Sequence, residues 1–378
     1  YLHENPEVSD KEYETAAYLK KECEKLGLVV EDAANSTGFT ALLDTGRDGK
    51  TLGIRTDIDA LPIQENTNNL KYPKEVISKV DGVSHACGHD SHMATLLTTA
   101  RILTGLKDEL DGKIYFIFEE GEETGGGIDA MVDHLRDKGL DACYGNHQSP
   151  FLPVGKISIV KGPSHAGCAG VEFDVIGKGG HGSRPDLCIN PLTATANIVT
   201  ALTTAWVSQL DVNETVTFGL GSINGGAASN VIPDKCNVKG TLRFFDDKAG
   251  KDALEVLKEV TEATAKAHKC EVEFSDYTRI VAYPTINDPD LAEEVIKSLN
   301  DIYPGAYRDG KPTFGSESFF GYSRLCPSVY TKFGVRDEEN GITASAHTPE
   351  FDLNPEGIKY AVGLQVKFAT DFLGEAND

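Results

Sequence analysis

The chain has 378 residues, with 36 Lys and Arg against 59 Asp and Glu, and a formal net charge of −23. That length exceeds one typical core and predicts two domains; the charge opposes nucleic acid or an anionic membrane as partner, because both are polyanions. With 40% hydrophobic and 25% charged residues, no recognisable signal peptide, and no apolar run near the roughly 20 residues of a membrane span, it reads as a soluble globular protein, expected in the cytoplasm.

Residues 12–26 place apolar or small side chains at 13, 16, 17, 19, 23 and 26, a helical spacing, and Gly27 suits the position after a helix end. Residues 39–43 and 51–55 predict strands, and 59–63 lead out of the second into a loop. Residues 91–106 carry apolar side chains at 93, 96, 97, 100, 103 and 106, which predicts a core-facing helix. The nearly continuous apolar run 113–118 predicts a strand buried on both faces. Strands alternating with helices point to an α/β layer structure. The pattern then changes. Residues 171–176 alternate with period two, 192–210 read as helix, 215–220 and 237–244 as strands, 249–268 as a long amphipathic helix, and 271–274 as a strand. That order is a ferredoxin-like split βαβ unit. It predicts a small α+β domain over 165–279, inserted into a catalytic domain made of 1–164 and 280–378.

The stretch His85-Ala-Cys-Gly-His-Asp-Ser-His92 concentrates imidazole, thiol and carboxyl groups in eight residues. These are the ingredients of a transition-metal site. Glu119-Glu120-Gly121-Glu122-Glu123, His147 and His347 follow far apart. In an open α/β sheet such groups converge at the carboxyl ends of strands. Cys87, His89, Glu123, His147 and His347 supply five side chains, enough with a bridging water for two ions. Glu122, beside Glu123 but not spent as a ligand, suits a proton shuttle for amide hydrolysis.

Other readings compete. His85 or His92 could replace Cys87 or His89, since 89 and 92 stack on one helix face. Asp59 reads as structural, and Glu119 and Glu120 as a solvated acidic loop. His3, His134, His165 and His268 read as ordinary surface or core residues. Gly125-Gly126-Gly127 has no following Lys-Ser/Thr and so is not a phosphate cradle. The eight cysteines include no CxxC pair and predict reduced, mostly buried thiols, with Cys87 the exception.

The chain resembles the co-catalytic metal amidohydrolases, a metallopeptidase-like family that includes bacterial aminoacylases, hippurate hydrolases and plant auxin-conjugate hydrolases. The resemblance rests on Leu2-His-Glu-Asn-Pro-Glu7, Arg55-Thr-Asp-Ile-Asp-Ala-Leu-Pro62, His85-Ala-Cys-Gly-His-Asp90, Glu122-Glu123, Gly179-Gly-His181, Asn230-Val-Ile-Pro-Asp234 and His347-Thr-Pro-Glu-Phe-Asp352. It implies a catalytic domain with a mixed sheet flanked by helices, and an inserted lid domain that forms a homodimer. It implies two divalent ions on Cys87, His89, Glu123, His147 and His347, with Glu122 as general base and acid. The thiolate favours zinc, and Mn, Co or Ni can occupy similar sites. His181 and Asn230 would hold the substrate or the oxyanion. Asp57 would orient a ligating His, and Asp90 would support the site from behind.

Three segments depart from the family pattern. Glu119-Glu120-Gly121 stands where the family has Gln-Pro-Ala. His181 is followed by Gly182-Ser183-Arg184-Pro185 instead of Ala-Ala and a Pro. Ser316-Glu317-Ser318-Phe319 replaces Ser-Glu-Asp-Phe. Arg184 is thereby a candidate for holding a substrate carboxylate through paired hydrogen bonds. The expected reaction is hydrolysis of an N-acyl amino acid. The rivals are a dipeptidase or aminopeptidase that reads a free amine through acids such as Glu119 or Glu317, and a metal-dependent binding protein without catalysis.

Overall fold

The structure, a computed structural model, describes residues 1–374. It divides into two compact units. The first comprises Tyr1–Ser164, Ile286–Lys311 and Ser318 onward; the second comprises His165–Thr285 and Pro312–Glu317.

The first unit is built on an eight-stranded sheet. Its spatial order is Val29–Asp32, Phe39–Asp44, Lys113–Glu119, Thr51–Asp57, Ala142–Pro153, Ser328–Arg336, Ile157–Ile159 and Tyr307–Asp309. The four strands from Lys113–Glu119 to Ser328–Arg336 run parallel. Phe39–Asp44 joins them antiparallel, so the sheet is mixed. The run 114–118 is buried on both faces, as its apolar sequence predicts. Phe116 and Phe118 enter one core with Leu19, Leu96 and Phe368, whereas Tyr115 and Ile117 enter another with Met131, Phe319 and Tyr322. The strand pleat sends alternate side chains to opposite sides, and helices cover both. One of them, Pro289–Ile302, starts on Asp288, whose carboxylate accepts the backbone N–H groups of Asp290 and Leu291.

The second unit is a sheet ordered Val216–Asn224, Lys235–Phe244, Gly167–Ile176, Glu271–Phe274, with every pairing antiparallel. Helices Pro191–Gln209 and Asp247–Ala267 pack on it, Ile198, Leu202 and Leu257 meeting Val171, Phe173 and Val175. This is the ferredoxin-like strand order. The unit extends past the 165–279 expected from sequence. Ile280–Ala282 pairs with Gly167–Ile176, and the backbone N–H of Ala166 donates to the carbonyl of Thr313 at 3.0 Å. These pairings draw in 280–285 and 312–317, which sequence periodicity cannot reveal.

All eight cysteines are free thiols. Among the described residues no helix is long and apolar enough to cross a membrane.

Candidate metal centre

The carboxyl ends of the parallel strands bring the chemistry of the first unit together. Asp57 ends one strand, with Asp59 two residues beyond, and Glu119 ends the next. Gly121 (φ 59°) turns the chain toward Glu122 and Glu123. His147 lies within Ala142–Pro153. His347 adopts a left-handed conformation (φ 64°), and its backbone N–H donates to the carbonyl of Ala86 at 2.9 Å, tying its loop to the Cys87 segment.

Gly88 is the pivot of the histidine-rich stretch. Its φ of 76° precedes helix His89–Gly105, which starts within the histidine-rich stretch, so His89 occupies the first turn. A Cβ at Gly88 would lie 2.7 Å from Cγ of Gln148, so only glycine fits without displacement.

The five predicted donors converge. Cys87, His89 and His147 offer atoms within 4.8 Å of one another, as do Cys87, Glu123 and His347, and also His89, Glu122 and Glu123. Cys87 Sγ is 3.4 Å from His147 Nε2 and 3.3 Å from His347 Nε2. Glu123 Oε1 is 3.2 Å from His347 Nε2 and 3.8 Å from His89 Nε2. Glu122 accepts the backbone N–H of Ser318 at 3.2 Å.

Two imidazoles of the cluster have their far nitrogen occupied. His89 Nδ1 lies 3.0 Å from Asp59 Oδ1, and His147 Nδ1 donates to the carbonyl of Gln148 at 2.6 Å. In the neutral rings both Nε2 atoms therefore carry the lone pair toward the cluster. His89 Nε2 is buried and makes no hydrogen bond. An orphaned donor atom facing a thiol, a carboxylate and further imidazoles fits a divalent cation.

Burial opposes charge on His89, but the charges of Asp57 and Cys87 and the Asp59 hydrogen bond outweigh it and raise its basicity well above the usual range. Burial pushes the Cys87 thiol up. Burial and the neighbouring His92 hold His147 well below the usual range. The hydrogen bond to Glu123 raises His347. Protons held at Cys87, His89 and His347 are those that a bound cation displaces.

The remaining candidates of the first unit lie elsewhere. Asp57 Oδ1 is 2.7 Å from Nδ1 of His92 and 3.8 Å from that of His89, so the nearer carboxylate to His89 is Asp59. His92 is no spare ligand: Nδ1 is paired with Asp57, and Nε2 accepts the backbone N–H of Gln148 at 2.8 Å. Asp90 Oδ2 lies 2.8 Å from Nδ1 of His3. His85 is buried and neither of its nitrogens makes a hydrogen bond. The solvated-loop reading of Glu119 and Glu120 is corrected. Glu119 is fully buried, accepting from Nε of Arg55 at 2.8 Å and from the Tyr322 hydroxyl at 2.6 Å. Glu120 accepts the Ser36 hydroxyl. Arg55, also fully buried, donates to Asp57 at 2.9 Å and to the Ser318 hydroxyl at 2.7 Å. Sequence reasoning gave Arg55 no role of its own, although it opens the motif that ends at Pro62.

In the second unit, strand Gly180–His181 pairs with Val231–Ile232, His181 opposite Val231. The Gly182 N–H donates to the Asn230 carbonyl at 2.8 Å. His181 is exposed, and its Nδ1 accepts the backbone N–H of Ser183 at 3.1 Å. That assigns the proton of the neutral ring to Nε2. Arg184 donates through Nε and a terminal nitrogen to Asp186, at 3.0 and 2.7 Å.

Residues 53–371 match the profile of peptidase family M20/M25/M40. Thermostable carboxypeptidase 2 of Saccharolobus solfataricus is 33% identical over 98% of this chain and 93% of its own length. N-acetylcysteine deacetylase of Bacillus subtilis is 32% identical over 95% of this chain and 92% of its own. Among solved structures, the Bacillus subtilis protein YXEP, a dinuclear metal binding peptidase from the M20 family, superposes with a TM-score of 0.84 at 29% identity, over 98% of this chain and 95% of its own.

Proposed function

The chain belongs to peptidase family M20/M25/M40 and is a metal-dependent amidohydrolase; on that premise we propose that it cleaves the amide bond of N-acyl amino acids, giving a carboxylic acid and a free amino acid. The observation that carries this reading is the convergence of Cys87, His89, Glu123, His147 and His347 beside a further carboxylate, Glu122. Those five side chains would hold two divalent ions, and the thiol with three imidazoles favours zinc. When bound, such ions supply Lewis acidity and lower the pKa of water.

Glu122 takes the proton of the attacking water and returns it to the leaving nitrogen. The Ser318 N–H, donating to its Oε1, helps to orient this carboxylate. His181, with its proton on Nε2, is a donor suited to the developing oxyanion, and Asn230 beside it on the ribbon is a second polar group for the substrate. Arg184 serves a substrate carboxylate only by exchanging it for Asp186. That exposed pair is worth little, so the exchange costs little.

The carboxypeptidase relative keeps peptide substrates as the alternative. The amine-reading version loses one anchor, because Glu119 is committed to Arg55 and Tyr322. The homodimer is part of this proposal. Helix Pro191–Gln209 contains no charged residue although the chain carries −23, it exposes Leu192 and Val207, and Val216–Asn224 forms a sheet edge.

The deciding assay is side by side. Protein loaded with Zn, Mn or Co is given acetyl and benzoyl amino acids and the matching dipeptides. Faster turnover of the acyl amino acids is expected. Preference for the dipeptides selects the peptidase reading, and no turnover of either with two ions bound returns the binding-protein reading.

A further inference from the structure

The loop Gly121–Gly126 carries Glu122. It closes on itself through the Gly126 N–H, which donates to the Gly121 carbonyl at 3.1 Å. That bond shapes the loop without setting where it points. The groups that grip it come from the start of the chain. Glu12 precedes helix Tyr13–Lys25, which is anchored in the core by Ala16, Leu19 and Cys23, and it has no exposed surface. Its Oε1 accepts the backbone N–H of Gly121 at 2.8 Å and that of Asp10 at 3.1 Å, and its Oε2 accepts the Thr37 hydroxyl at 3.0 Å. Asp10 is held in a left-handed conformation (φ 65°), uncommon for a residue other than glycine. Its Oδ2 lies 3.2 Å from the Thr124 hydroxyl. A Cβ on Gly121 or Gly126 would come within 2.7 or 2.2 Å of its Oδ1. Both glycines thus leave room for a carboxylate laid across the loop.

We propose that Glu12 and Asp10 are positioning residues for the reaction, a two-pronged hook that sets the Gly121–Gly126 loop and so aims the Glu122 carboxylate. The proposal rests on the reading of Glu122 as the general base. Proton transfer needs heavy atoms within about 2.6–3.2 Å of each other, so a small swing of the loop takes Glu122 out of reach. Glu123 is less affected by such a swing, because its own N–H is held by Asp59 at 3.1 Å. Loss of the hook therefore acts on turnover before it acts on metal binding.

Glutamine separates an acceptor from a charge. In Glu12→Gln the carbonyl oxygen still accepts from Gly121 and Asp10, and the NH2 turns to the Thr37 hydroxyl, which can accept. Glu12→Ala removes the acceptor and leaves the Gly121 N–H without it. At the second prong, Asp10→Gly removes the carboxylate and suits the left-handed backbone. Asp10→Asn keeps an acceptor oxygen and tolerates the same conformation.

The test uses the zinc-loaded full chain with an N-acetyl amino acid as substrate, and amide hydrogen exchange of the loop read by mass spectrometry. Glu12→Ala is expected to lower kcat by about 10²-fold, with KM and metal content those of the wild type, and to speed exchange at Gly121. Glu12→Gln should match the wild type in both readouts. If Glu12→Ala does not fold, Asp10→Gly carries the test: kcat should fall by a smaller factor, and Asp10→Asn should restore it. Wild-type kcat in Glu12→Ala, or in Asp10→Gly in its place, overturns the proposal and leaves Glu122 standing as base. A Glu12→Gln variant as slow as Glu12→Ala overturns it too, because charge and not the acceptor would then matter. Loss of the ions, or a rise in KM alone, makes the hook structural and equally overturns it. A wild type with two ions whose Glu122→Gln variant keeps its turnover overturns the reading of Glu122 itself.

Discussion

Glu119 ends a strand with Glu120 just beyond it, Glu122 and Glu123 follow one glycine later, and the two pairs meet different fates. Glu119 is sealed against Arg55 and Tyr322 with no exposed surface, and Glu120 is held by Ser36. Glu122 and Glu123 keep partial exposure and face His89 and His347. The residue type is the same in all four. The difference is the turn at Gly121, whose N–H donates to the buried Glu12 carboxylate at 2.8 Å. Before the turn the strand pleat and register decide, setting Glu119 opposite Asp57; after it the loop is free to aim carboxylates at the strand ends. One acidic segment thus divides into a structural anchor and a reactive pair.

The contrast is sharpest if one substitution is made on both sides of Gly121. Glu122→Gln should lower kcat by about 10²–10⁴-fold while metal content and unfolding midpoint stay those of the wild type. Glu119→Gln should do the reverse. Removing one partner of a buried ion pair costs about 3–5 kcal/mol, and because Arg55 keeps Asp57 the lower end is expected, read as a fall in denaturant midpoint. Equal stability losses in the two variants would erase the distinction between anchor and base.

A smaller effect concerns the support behind the ligand helix. Burial would lower the pKa of His3, but hydrogen bonds to Asp90 and Glu65 outweigh it and raise it from 6.5 to about 10. The folded state therefore binds this proton more tightly than the unfolded chain. Its contribution to stability is complete below the unfolded value and is lost as pH rises through the folded one. The unfolding-midpoint gap between wild type and His3→Gln should be widest near about pH 6 and narrow toward about pH 10. A gap independent of pH contradicts a charged His3.

The sequence carried much of this, and the omissions have physical causes. Cys87 and His89 were legible because they sit in one dense stretch, and the period-two and helical patterns of 171–274 marked out the second fold. Which aspartate serves which histidine was not legible. Asp57 and Asp59 are two residues apart, and only the path of the chain beyond the strand gives His92 to the first and His89 to the second. Arg55 and Glu119 were missed as a pair because their contact depends on the register between two parallel strands, which no local pattern encodes. Asp90 looked like support for the cluster by adjacency, yet its side chain is taken by His3, 87 positions away.

The central claim is that Cys87, His89, Glu123, His147 and His347 form one two-ion centre. Anomalous diffraction at the metal absorption edge, from crystals grown with zinc or manganese, tests it directly. The account predicts two peaks roughly 3.5–4 Å apart, bonded to those five side chains, with His92 and Asp57 outside the shell. A lone peak ligated by His92, or no peak among these residues, would contradict it.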